Sequence, residues 1–288
     1  MAGGILILDK PAGWTSHDAV AKLRGILKER RIGHGGTLDP MATGVLPVFV
    51  GRATRAVELF EAADKTYVAG LRLGLVTNTE DSTGEVLETR PVSVTQAQLQ
   101  QALDALVGEQ LQVPPMYSAI KIGGKKLYEL ARAGKEAERP ARKITIFETA
   151  LLDFTGEHAT FRVRCSKGTY VRSICRDLGE QLGCGGCMDS LRRVRAGVYT
   201  EADTVTLEQL QQSNDPWALL RPVDTLFADL PAVTVDSAQA ARIYNGSPVA
   251  MEQPEGRYRV YGPDGEFLMV GSQKDGMLKT VKSFFEVK

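Results

Sequence analysis

The chain has 288 residues, carries 35 Lys and Arg against 35 Asp and Glu, and is 43% apolar, ordinary for a core of one large domain or two smaller ones. No apolar run approaches membrane-spanning length, and no basic stretch followed by an apolar core opens the sequence. Neither a secretory signal nor a membrane-spanning helix is expected, and a cytoplasmic protein fits.

Residues 4–8 are apolar, end at Lys10-Pro11 and read as a buried strand. Thr15 and Asp18 have capping-box spacing ahead of Ala19, Val20, Leu23, Ile26 and Leu27 at helical intervals, which predicts a helix over residues 16–29. Residues 31–44 read as a loop, and 45–50 as a strand in which Pro47 predicts an edge or a bulge. Within the loop, Gly33, Gly35 and Gly36 permit positive φ and close backbone approach, while Pro40 draws Asp39 away from the α region. A carboxylate so placed can act as nucleophile or base; Asp before Pro is equally ordinary turn chemistry.

Tyr67, Ala69, Leu71 and Leu73 alternate as in a strand, residues 78–84 are turn-rich, and 85–89 return as a second strand. A helix is predicted over 95–107, with Leu99, Leu103 and Leu106 on one stripe. Residues 143–154 and 159–165 read as neighbouring strands, and 170–182 as a helix ending at Gly183. A boundary falls near Asp229-Leu230-Pro231, followed by a short helix at 237–244 and strands broken at Gly262-Pro263-Asp264-Gly265 and Asp275-Gly276. Strands and helices without strict alternation predict an α+β fold rather than a doubly wound parallel sheet.

Cys184 and Cys187 alone among the four cysteines have ligand-like spacing, and His17, His34 and His158 are too scattered to complete a zinc site. A turn holding two reduced thiols is the preferred reading. Zero net charge names no partner, but the charge is unevenly spread: residues 121–198 hold 16 basic against 9 acidic residues, 1–120 hold 11 against 13, and 199–288 hold 8 against 13. That pattern fits a confined phosphate-binding face, and also a solvated surface whose charges cluster. No nucleotide-binding loop, dinucleotide fingerprint or zincin motif is present.

The string from Gly33 to Pro47, GHGGTLDPMATGVLP, resembles the catalytic motif of the TruB family of tRNA pseudouridine synthases. Further blocks stand in the family's order over roughly the first two hundred residues: Gly4 to Asp18 with its Lys10-Pro11 turn, Asp64-Lys65-Thr66-Tyr67, Pro114 to Lys121 with Gly124 to Tyr128, Ser166 to Arg172 followed by Asp177-Leu178-Gly179, and Leu191-Arg192-Arg193. The resemblance implies a mixed, mainly antiparallel pseudouridine synthase core over residues 1–230, with a flexible basic insertion at about 121–143 that clamps the T arm of tRNA. Residues 231–288 resemble a small PUA-like β-barrel that would bind RNA near the acceptor end.

The implied reaction converts uridine to pseudouridine in the tRNA T loop, at position 55. It breaks the C1′–N1 bond, turns the uracil and rejoins it through C5, so no cofactor or metal is required. By the resemblance Asp39 is the catalytic carboxylate, and it could add to C1′, add to C6 or remove a proton from C2′. Arg172 would pair with it and Tyr67 would stack on the uracil. His34 would take the place of the flipped nucleotide. Leu191 and Tyr170 are assigned to substrate binding, and Lys10 to supporting the loop or the RNA backbone. The implied partner is tRNA, with neither DNA nor membrane, and the chain is expected to act as a monomer. Alternatives are a guide-RNA-dependent dyskerin-like subunit, disfavoured by the lack of long basic extensions, and a tRNA-folding chaperone. A glycoside hydrolase would pair Asp39 with Asp81, but Asp81 reads as a solvated turn residue.

Overall fold

The computed structural model describes residues 3–285. The chain forms two compact units, each discontinuous in sequence: one takes residues 1–40, 46–61 and 202–288, the other 41–45 and 62–201. These units are cut differently from the sequence segments 1–230 and 231–288.

The first unit opens with the buried strand Gly4–Lys10. Its sheet neighbour is the strand Thr43–Val50, and it is also bridged by residues from late in the chain: Ile5 bridges Arg221 and Leu8 bridges Val205, with Ile5 N donating to Arg221 O at 2.8 Å and Asp9 N to Val205 O at 2.9 Å. The helix Ser16–Leu27 starts at the expected capping box, with Thr15 accepting from the Asp18 N–H and the Asp18 side chain accepting from Thr15 N–H. It stops at Lys28, which is left-handed at φ +54°, and Trp217 Nε1 donates to the terminal Leu27 carbonyl at 3.1 Å. Ala19, Val20, Leu23 and Leu27 form its buried face.

Part of the expected loop is a strand, Ile32–His34, antiparallel to Thr43–Val50. Three residues containing glycine and histidine carry no readable strand pattern. Gly35 N donates to Pro47 O at 2.8 Å where this ladder ends, so the proline still serves as an acceptor.

Near the C-terminus, helix Ser237–Tyr244 forms as expected beside a five-stranded sheet ordered Ala232–Thr234, Gly256–Tyr261, Phe267–Lys274, Met277–Ser283, Val249–Ala250. Val235, Ile243, Tyr258, Val260, Leu268 and Leu278 fill this curled half-barrel. It is tied to the preceding segment: Phe227 packs on Phe267 and Phe284, and Tyr261 OH donates to Asp224 Oδ2 at 2.6 Å.

In the second unit the start of Thr43–Val50 runs parallel to strand Gly186–Ala196. Antiparallel pairings then continue through Lys65–Leu73, His158–Cys165, Arg142–Phe154 and Gly108–Gln112. Helices Gln96–Asp104 and Val171–Gln181 also belong to this unit. The mixed, mainly antiparallel sheet with helices is the α+β fold expected. Strand Gly186–Ala196 was not anticipated: bulges at Met188/Ser190 and Arg193/Arg195 break its alternation, and five of its residues are charged or serine. Among the described residues no helix is long and apolar enough to cross a membrane.

Candidate active site

Lys10, His34 and Asp39 lie in the first unit, and Tyr67, Tyr170, Arg172 and Leu191 in the second. Asp39 is half-buried and its two neighbours are pinned. On one side Leu38 is buried, and the fully buried Ser16 hydroxyl accepts from Leu38 N at 2.9 Å and donates to Leu38 O at 3.2 Å. On the other, Pro40 O accepts from Gly13 N at 2.8 Å and from Lys10 Nζ at 3.3 Å. Gly35 lies so close to Phe60 that a Cβ there would meet the ring at 2.4 Å, and Gly36 has φ +99°. The glycines thus fold the loop tightly, as their number in the sequence suggested. His34 meets His17 edge to face, with ring centroids 5.5 Å apart.

Lys10 is 0% exposed, and its ammonium also donates to Pro11 O at 2.9 Å and Trp14 O at 2.6 Å. It builds the loop from inside; an RNA phosphate contact would require it to abandon these carbonyls. Lys10→Met should therefore lower stability by about 1–3 kcal/mol, the cost of leaving buried acceptors unmatched. Denaturant unfolding beside single-turnover assays would check this, with the rate falling at unchanged RNA affinity.

In the second unit Tyr67, on Lys65–Leu73, lies directly across from Arg193, and Ala69 across from Leu191. Tyr67, Leu191 and Arg193 therefore share one sheet face. Arg193 is only 1% exposed and donates Nε to Val45 O at 2.7 Å. Its carbonyl lies where a Gly44 Cβ would sit, 2.3 Å away, and Gly44 has φ +97°. Sequence reasoning assigned Arg193 no role, although a buried arginine has to be part of a specific arrangement.

Arg172, near the start of Val171–Gln181, is 5% exposed. Its two terminal nitrogens diverge: Nη1 donates to Thr79 O at 3.1 Å and Nη2 to Tyr117 O at 2.9 Å, while Asp81 Oδ2 lies 3.8 Å from Nη1. Asp81 is not the solvated turn residue expected. It is buried, and its Oδ1 accepts from Thr79 Oγ1 at 2.8 Å, Thr83 N at 3.0 Å and Thr83 Oγ1 at 2.6 Å. This turn closes on itself and offers its remaining oxygen to the guanidinium. A carboxylate engaged in that way is a poor second catalytic acid for a glycosidase. Tyr170 is held through its backbone: the Gln112 amide donates to Tyr170 O at 3.0 Å and accepts from Tyr170 N at 2.8 Å. The neighbouring insertion contains a hairpin, Lys121–Ile122 with Lys125–Lys126, and helix Leu127–Arg132, with Lys126 and Arg132 both near the Tyr128 ring.

Cys184 and Cys187 are buried free thiols, as are Cys165 and Cys175. The glycines between the pair serve packing, because a Cβ on Gly185 would fall 2.6 Å from Val76 Cγ2 and one on Gly186 3.1 Å from Cys175 O. Burial pushes the Cys187 thiol up to about 11 and Cys175 well above its ordinary value, so both are protonated at neutral pH. Among the described residues no group of three or more His, Cys, Asp or Glu could hold a metal ion.

The family model "TruB family pseudouridylate synthase (N terminal domain)" matches residues 24–171. A second, "tRNA pseudouridylate synthase B C-terminal domain", matches 172–228, and a third, "Pseudouridine synthase II TruB, C-terminal", matches 231–281. The chain is 47% identical over 279 residues to tRNA pseudouridine synthase B of Azoarcus sp. strain BH72, covering 96% of this chain and 93% of that one. It is 42% identical over 287 residues to tRNA pseudouridine synthase B of Clostridium kluyveri, covering 98% and 99%. Among solved structures it resembles a chain of a Cbf5-Nop10-Gar1 complex, with a TM-score of 0.75, 27% identity, and coverage of 99% of this chain and 85% of that one.

Proposed function

Since the chain belongs to the TruB family of pseudouridine synthases, we propose that it isomerises the T-loop uridine at tRNA position 55, with Asp39 as the carboxylate that acts on the nucleotide. The protein is a tRNA pseudouridine synthase, an isomerase. The observation that best supports Asp39 is its seat, with Leu38 locked to Ser16 and Pro40 to Lys10 and Gly13. A reacting carboxylate needs such preorganisation, since a misplaced one forfeits much of the gain from proximity.

The target base lies inside a folded loop and must leave its stack before chemistry, at a cost of a few kcal/mol, offset by contacts in the pocket. His34 takes the vacated place, and Tyr67 stacks on the extracted uracil with Leu191 on the same sheet face. Cleavage of C1′–N1 frees the base, which turns and bonds through C5. The C5 proton leaves and N1 gains one, so atoms and charge balance without a co-reactant. Water must be kept away, because it would divert the sugar to an abasic site. Arg172 supports the ionised Asp39, and Lys10 acts on the loop rather than on RNA. The basic insertion at 121–143 clamps the T arm by its shape and charge, and residues 231–288 touch the acceptor end. The enzyme works on tRNA as a cytoplasmic monomer. The dyskerin-like reading rests on the Cbf5 likeness at 27% identity, weaker than the 42–47% shared with the bacterial synthases.

The decisive experiment incubates the purified chain with unmodified tRNA transcript and maps pseudouridine by chemical labelling. Product at position 55 without added RNA or protein is expected, and its absence would overturn the stand-alone reading. Prolonged chelation should leave the rate unchanged; a loss restored by zinc would bring Cys184 and Cys187 back as ligands.

A further inference from the structure

Three consecutive turn residues, Thr79, Glu80 and Asp81, grip the start of helix Val171–Gln181. Thr79 and Asp81 face Arg172. Glu80, between them, reaches the following residues of the same helix. Its Oε2 accepts from Ser173 Oγ at 2.7 Å, and its Oε1 pairs with the Arg176 guanidinium. The Glu80 side chain is 11% exposed, so solvent and salt screen this pair little. Its backbone stands at φ +62°, a region that non-glycine residues seldom occupy. Glu80 N donates to Thr77 O at 3.3 Å, and Met188 N to Glu80 O at 3.0 Å, which hold it there. Glycine would suit that backbone better. Only a long carboxylate reaches the helix.

We propose that Glu80 is a positioning residue for pseudouridine formation: by fixing Ser173 and Arg176 it sets the register of the helix against the turn, and so the aim of Arg172. The inference rests on the role given to Arg172 above and extends it to a residue that acts through that arginine's helix. Two of the bonds that aim Arg172 hold only while Thr79 O and Tyr117 O stay at 3.1 and 2.9 Å. A slip of the helix start along the turn would spoil both bonds at once.

The test compares Glu80→Gly, Glu80→Ala and Glu80→Gln, alone and combined with Arg172→Lys, on a T-arm stem-loop. Melting temperature, RNA affinity and saturating single-turnover rate are measured for each. Glycine relieves the backbone strain, so Glu80→Gly should melt no lower than Glu80→Ala. Both should nevertheless lose roughly tenfold in rate. RNA affinity should stay within about twofold of the parent. Glu80→Gln keeps an acceptor for Ser173 and should fall between. With Arg172→Lys in place, loss of Glu80 should slow the reaction no further, since both changes act through one group.

A rate that follows melting temperature, recovering in Glu80→Gly, would reduce Glu80 to a stability role and overturn the proposal. So would effects that multiply in the double variants. Full-speed Glu80→Gly and Glu80→Ala beside an impaired Arg172→Lys would refute the Glu80 inference alone. A full-speed Arg172→Lys would refute the role of Arg172, and this inference with it.

Discussion

Asp39→Asn should lower the saturating single-turnover rate of pseudouridine formation by on the order of 10³-fold or more, because it removes the carboxylate as nucleophile or base. The substitution changes almost no volume. The restraints on Leu38 and Pro40 come from Ser16, Gly13 and Lys10, so the loop should keep its shape. Affinity for tRNA should change little, as should the melting temperature. Near-normal turnover by pure Asp39→Asn enzyme would remove the central element of the proposed chemistry.

Arg172→Lys should cost roughly 10²-fold in single-turnover rate, the scale on which a displaced charged group impairs catalysis. Lysine preserves the positive charge but not the planar fork. One ammonium cannot reproduce the separate bonds to Thr79 O and Tyr117 O while facing Asp81. RNA affinity should fall by no more than about threefold, because the side chain is buried and would make no strong phosphate contact. If affinity instead drops while the bound RNA reacts at the normal rate, Arg172 serves as a phosphate contact.

Local signals in the sequence located much of the fold. The Thr15–Asp18 capping box and apolar spacing found helix Ser16–Leu27, and alternation through Tyr67, Ala69, Leu71 and Leu73 found strand Lys65–Leu73. Features built by distant residues stayed hidden. Ser16 was merely the first residue of a helix, yet its hydroxyl clasps Leu38. Gln112 drew no reading at all, yet its side chain closes the backbone of Tyr170. Asp81 looked solvated because turn composition does not reveal that a turn is buried. Bulges concealed Gly186–Ala196, and with it the cross-strand neighbour of Tyr67. The candidate residues themselves were legible only through the ordered motifs; no periodicity distinguishes Tyr67 or Arg172 from residues of a core.

The first strand waits for its partners from the end of the chain. Leu8 leaves the ribosome nearly two hundred residues before Val205, and Ile5 earlier still relative to Arg221. At ordinary synthesis speeds that delay is on the order of 10–40 s, during which a very apolar strand has no native neighbour from that part of the chain. Lys10 ends this strand and holds Pro40, so residues made much later brace the strand that carries one of the supports beside Asp39. Unfinished chains would consequently hold the strand less firmly, and its bracing would be complete only near the close of translation. Such long-range closure also makes for slow folding.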